Sequence, residues 1–261
     1  MSHAVLLWNN RSPAAVWTAS SAKTSLPASF LGTEDLAETW QSAEGVDAAV
    51  LLADAGAAVP VGAVVLLDLA GTDAATLRVR LSTADPTGAA GDAFDSGTVS
   101  GFAPMWRHWP VLLPADVAAR YLRIDLAEAG APRLELGGIG FGPTWRPEAN
   151  FERGWGWGQD AADSVTQAWS GREWIAEGAA PRVLRLRLPA VTPEEMAAQV
   201  RPAVRQVRGS RPVLALRDPD AAPLGAEAVW GPNRAFRDRV EFPEVSHQRF
   251  RVDFEIAEML R

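Results

Sequence analysis

The chain contains no cysteine. That excludes disulfides, thiolate metal sites and a cysteine nucleophile. Histidine occurs three times, as His3, His108 and His247, too far apart in sequence to read as a metal or catalytic cluster. Of the 25 basic residues only Lys23 is a lysine, and Tyr121 is the one tyrosine. No stretch approaches the roughly 20 uninterrupted apolar residues that a membrane-spanning helix needs. The most apolar window, Ala57 to Leu69, is short and interrupted by Pro60 and Gly62. The N-terminus has no basic segment followed by an apolar core, so no secretory leader is expected. The formal charge is −7. Sequence-independent nucleic-acid affinity rests on clustered positive charge, so neither a nucleic-acid partner nor membrane insertion is expected.

What the chain has in abundance is tryptophan, eleven in 261 residues. At 48% hydrophobic and 22% charged residues, it has the balance of a globular protein long enough for one large domain or two ordinary ones.

The hydrophobic pattern is that of short strands. Ala4-Val5-Leu6-Leu7-Trp8 and Ala15 to Ser20 open the chain as two of them, and Val61 to Leu69 reads as a strand buried on both faces. Thr76 to Ser82 alternates cleanly. So does Arg120 to Leu126, with Leu122, Ile124 and Leu126 on one side and Tyr121, Arg123 and Asp125 on the other. Between them Ala84 to Ser100 is a loop rich in Gly, Asp and Pro. Gly137-Gly138 inside the strand pattern that ends at Phe141 predicts a bulge or a close backbone approach. Short, evenly spaced strands with turns between them predict a β-sandwich or jelly roll over residues 1–150.

After Gly142 the pattern changes. Gly154-Trp155-Gly156-Trp157-Gly158 has no periodic partner, and Ser164 to Ile175 reads as a hairpin turning at Ser170-Gly171. Residues 151–178 are therefore expected to form a Trp/Gly-rich connection or arm. Residues 179–261 read as a smaller α+β domain, so that the chain as a whole is mainly β. Its signals are a strand from Arg182 to Leu188, a helix started by Thr192-Pro193-Glu194-Glu195 and a strand from Pro212 to Leu216. A closing strand follows, with Phe250, Val252, Phe254 and Ile256 on one face. Pro202 predicts a kink or an early stop in the helix.

Chemistry-bearing motifs are weak. Gly137 to Gly142 has the wrong spacing for a nucleotide loop, and Pro143 follows where a helix would have to begin. The carboxylate pairs Glu34/Asp35, Asp92/Asp95 and Asp160/Asp163 lie in polar loops and read as solvated charge. The Asp92–Asp95 loop lacks the dense carboxylates of a calcium site, and no Gly-x-Ser-x-Gly elbow is present. No catalytic residue, metal or cofactor is expected. The candidate contact residues are Trp106, Trp109, Trp155, Trp157, Trp169 and Trp174. Core filling and subunit contact is the preferred reading for the tryptophans, and stacking on sugar rings is the second.

Three groups of residues carry a resemblance. The opening has the form Leu26-Pro27-Ala28-Ser29-Phe30-Leu31 followed by Thr39-Trp40-Gln41-Ser42; Trp109-Pro110, Arg120 to Ile124 and Leu136 to Gly142 come later; and Thr192 to Glu195 and Arg211 to Pro219 follow. In these the chain resembles minor or distal tail proteins of long-tailed bacteriophages, which carry a discoidin-like β-sandwich module. It departs from that module at Ser29, where the module usually has Asn. The resemblance implies a structural virion protein, made in the host cytoplasm and located at the tail tip. It also implies partners: itself in a ring oligomer, the tail tube, and the hub or baseplate. The alternative is a carbohydrate-binding module that contacts host-surface glycans.

Overall fold

The computed structural model describes residues 3–160, 164–167, 169–170, 172–176, 178–236, 241–246 and 248–261. The chain divides into two compact units. Met1–Glu148 with Val213–Ala228 and Arg261 form the first, and Ala149–Pro212 with Val229–Leu260 form the second.

The first unit is a β-sandwich. Its strands are β1 (Val5–Leu7), β2 (Val16–Ala19), β3 (Trp40–Gln41), β4 (Ala48–Ala70), β5 (Thr76–Ser82), β6 (Phe94–Asp95), β7 (Trp109–Ala127) and β8 (Glu135–Gly142). Long β4 and β7 run antiparallel along their whole length, from Ala48 opposite Ala127 to Leu66 opposite Trp109. The register slips between Asp54 and Val59 and again between Val61 and Ala63, where extra residues bend the ribbon over. One half of the ribbon sits between β2 and β5, with β6 beyond β5; the other half pairs with β8, and β8 with β3. The two leaves share one core of Leu51, Val64, Leu66, Leu77, Val79, Leu81, Leu122, Ile124, Leu126 and Phe141. Each such side chain contributes roughly 1.5–3 kcal/mol when buried, which favours this register over its neighbours. Because the ribbon bends back on itself, both ends of β4 return to one end of the sandwich. Gly137 is the close approach predicted for the paired glycines: a Cβ there would lie 2.9 Å from Asp68 Cβ.

The second unit contains β9 (Gly156–Gln159), the hairpin β10 (Ser164–Gln167) and β11 (Glu173–Ala176), and β12 (Arg182–Val191). A helical segment follows over Pro193–Glu195, Met196–Val200 and Arg201–Val207. Thr192 and Glu195 close the predicted capping box. The helix does not stop at Pro202. Its middle widens into a π-turn, in which Arg201 N–H donates to Met196 O, and Pro202 is taken up in the next turn. The chain then forms β13 (Pro212–Leu216), β14 (Ala228–Pro232), β15 (Glu244–Ser246) and β16 (Arg249–Ala257). β15, β16, β12 and β9 make a four-stranded sheet. Leu184, Leu186, Leu188, Val252, Phe254 and Ile256 are buried along β12 and β16, as the closing pattern predicts.

Two boundaries differ from the sequence reading. Residues 179–261 are not one contiguous domain, because Val213–Ala228 belongs to the first unit, where β13 pairs antiparallel with β1. Both strands are short and wholly apolar, so each needs the other to complete a buried edge. Nor is 151–178 an arm throughout. β9 takes a place in the second unit's sheet, with Trp157 opposite Leu184.

Candidate functional site

The tryptophans named from sequence are not one surface. Trp109 is core: 6% exposed, it stacks on Phe102 at 5.2 Å. It is therefore corrected from a contact residue to a packing residue. Trp106 is half-buried in a short 3-10 turn, Pro104–Trp106. Trp155 meets Phe151 edge-on at 6.3 Å, and Trp157 is half-buried with the Arg182 guanidinium 5.7 Å from its ring centre. Strand pairing holds Trp157 in the second unit's sheet rather than on a free arm, and Trp155 lies just before that strand. Of these six, Trp169 and Trp174 alone are exposed, in and beside the turn of the β10–β11 hairpin, where Trp174 faces Thr166 across the ladder.

Asp35, Asp92, Asp95 and Asp160 are accounted for structurally. Asp92 accepts from the Thr83 backbone N–H and hydroxyl. Asp95 is held bidentately by Arg78 at 2.9 and 2.5 Å, which brings its pKa down to about 2. Asp35 accepts from Ala37 N–H at 3.0 Å. Asp160 pairs with Arg234 at 2.6 Å, and Asp163 lies outside the described residues. Among the described residues no group of three or more His, Asp or Glu could hold a metal ion.

A different constellation lies at the end of the sandwich to which both ends of β4 return. Three connections meet there: 43–47, 71–75 and 128–134. The first and third are sewn together by Gly45 N–H to Pro132 O at 2.7 Å, Glu128 N–H to Asp47 O at 2.8 Å and Gly130 N–H to Asp47 Oδ2 at 3.1 Å, and Thr72 ties the second to Glu128. Between them opens a cavity of about 750 Å³, lined by Glu44, Gly71, Thr72, Glu128, Arg133 and Glu135 among others. That volume lies within the range of sites for small molecules, ~300–1,000 Å³.

Glu128 is the unusual member. It is 8% exposed, and its Oε1 accepts from Thr72 N–H at 3.0 Å and from Thr72 Oγ1 at 2.6 Å. Its Oε2 accepts from no described residue. Gly71 leaves the space beside it, since a Cβ at that position would sit 3.0 Å from Oε2.

The other cavities contrast with this one. A space of about 430 Å³ on the sheet face is lined by Arg78, Arg80 and Asp125 among others. Its charges pair within the sheet, Arg78 with Asp95 and Arg80 with Asp125. In the second unit a space of about 320 Å³ is flanked by the pairs Arg185–Glu255 and Arg187–Asp253. The loop-end cavity keeps a half-used, buried carboxylate.

Sequence reasoning missed Glu128, although a signal for it exists. Leu122, Ile124, Leu126 and Glu128 fall at intervals of two, so a charge continues the inward row of a strand. A carboxylate in that register is either paired or poised for a partner.

No family model matches the chain, and none of the curated proteins matches it. Among solved structures it is similar to the chitosan-binding module 1 of a chitosanase/glucanase from Paenibacillus sp. IK-5, at 21% identity over 54% of this chain and 98% of that one, with a TM-score of 0.43. It is similar to the lectin domain of lectinolysin, solved with Lewis B antigen, at 15% identity over 52% and 96%, TM-score 0.41. A third is a family 32 carbohydrate-binding module from C. perfringens in complex with galactose, at 10% identity over 56% and 100%, TM-score 0.40. Each likeness spans about half of this chain.

Proposed function

We propose that the chain is a non-catalytic carbohydrate-binding protein whose glycan site is the loop-end cavity of the sandwich. The observation that carries this reading is Glu128. A nine-tenths-buried carboxylate with one oxygen unused, at the rim of a cavity of small-molecule size, is an acceptor waiting for a ligand's O–H or N–H donors. Thr72 and Glu135 add polar groups around it. Glu44 is paired with Arg133 and Glu135 with Arg261, so Glu128 has no second unpaired carboxylate facing it, whereas glycosidic hydrolysis uses a pair flanking the scissile bond. A glycan array probed with the full chain tests the reading. Retention of particular glycans without any change in their mass supports it; retention of none, or release of hydrolysis products, contradicts it.

A second reading is favoured by a different observation, the exposed pair Trp169 and Trp174 on a hairpin that pairs with no third strand among the described residues. Large open indoles on so small an element suit a contact with another protein or another copy. That fits a structural component of a virion tail, in a ring at the tail tip. Sedimentation of the wild type and of a Trp169→Ala/Trp174→Ala variant separates the readings. Loss of self-association in the variant favours the structural role; a monomer in both cases removes its support.

A further inference from the structure

We propose that the loop-end cavity selects a protonated amine carried on a hydroxylated ligand, with Glu128 as the anion that meets it. This rests on the glycan-binding reading above and narrows it.

The argument is a count of charges around the cavity. Glu44 lies 3.8 Å from Arg133 in a largely solvated pair. Glu135 is paired with Arg261 and also accepts from Gln41 Nε2 at 2.6 Å. Glu128 is more buried than Glu44, yet it receives only the two hydrogen bonds from Thr72, both on Oε1. No arginine among the described residues makes an ion pair with it. The two Thr72 donors are neutral, so a cation at the open oxygen adds a charge interaction that nothing else around Glu128 supplies. An ammonium group brings three N–H donors together with that charge.

The surroundings narrow the choice of cation. A calcium ion takes six to eight oxygen ligands, and no group of three acidic or histidine side chains converges here. An amine asks for one carboxylate and neighbouring hydrogen-bond partners, which is what Glu128 and the loops supply. Gly71 keeps the approach to Oε2 open, for the nearest group to an added Cβ would be that oxygen.

The test is calorimetric titration of the full chain with three oligosaccharides of equal length: a glucosamine oligomer, its N-acetylated form and a glucose oligomer. The glucosamine oligomer is expected to bind at least about tenfold more tightly than the other two, a margin in the range of a desolvated charge pair. Raising ionic strength should shrink that margin. Glu128→Gln keeps an acceptor for Thr72 and is expected to abolish the preference. Gly71→Ala, which crowds Oε2 without altering charge, should weaken amine binding several-fold while the melting temperature stays close to wild type. Equal binding of all three oligomers overturns the amine inference and leaves the glycan reading standing. Binding of none overturns both. A preference that survives in both variants places the cation elsewhere and overturns the assignment to Glu128. Saturable calcium binding that disappears in Glu128→Gln overturns it in favour of a metal.

Discussion

At the scale of single residues, burial sorts side chains that look alike in sequence. Trp109 and Trp174 each sit between one polar or charged and one apolar neighbour, His108/Pro110 and Glu173/Ile175, yet one stacks in the core and the other stands in solvent. Trp109→Ala should therefore lower stability by roughly 3–5 kcal/mol. Trp174→Ala should change it by no more than about 0.5 kcal/mol, as for a surface substitution. Thermal or denaturant melts of the two variants decide this, and equal losses would contradict the assignment.

Charge gives a second residue-scale expectation. The Arg78 side chain, through its hydrogen bonds, holds Asp95 down to about 2, and Arg120 lowers Asp54 in the same way. A carboxylate whose folded pKa is depressed contributes stability that is complete above its ordinary value, near 4, and lost as pH falls toward its folded value. The contribution of these pairs is thus expected to fade between about pH 4 and pH 2, and for partly exposed pairs it is small. Asp95→Asn should flatten that part of the stability profile while leaving the dependence above pH 5 unchanged; an unaltered acid limb would show that the pair contributes nothing.

At the scale of elements, pattern was legible where a strand had one wet face and illegible where the partner strand came from far along the chain. Thr76 to Ser82 and Arg120 to Leu126 show their alternation openly, and they pair with each other. The run Val61 to Leu69 is buried throughout, and its two edges are closed by β7 on one side and β8 on the other. Gly154 to Gly158 shows no period. Its order comes from β12, which is 27 residues away at the Trp157–Leu184 pair, and nothing local announces it. Glu128 was illegible for a related reason: its place in the inward row was visible, but the Thr72 that holds it lies 56 residues earlier. Trp157 now reads as part of the second unit's sheet, so Trp157→Ala should destabilise that unit measurably. Circular-dichroism melts check this, and a variant that melts like the wild type would return the segment to the status of an arm.

At the scale of the whole molecule, the chain's order and its units do not coincide. The sandwich is completed by Val213–Ala228, whose strand β13 shields β1, so a fragment ending at Glu148 leaves Val5, Leu6 and Leu7 without their partner. That fragment is expected to melt lower than the sandwich does in the full chain, or to aggregate through the bared edge. An identical transition in the fragment would mean that the returning segment is dispensable. The division near residue 150 was readable from the change in texture after Gly142. The return at 213 was not, because a short apolar strand carries no mark of which unit it joins.

The claim on which the functional account depends is that ligand enters the loop-end cavity rather than docking on the exposed indoles. Amide chemical-shift mapping of the isotope-labelled full chain, titrated with a retained oligosaccharide, tests it most directly. The account predicts shifts concentrated at Gly71, Thr72, Glu128, Gly130 and Arg133, with residues 166–174 unmoved; shifts confined to the hairpin around Trp169 and Trp174 would contradict it.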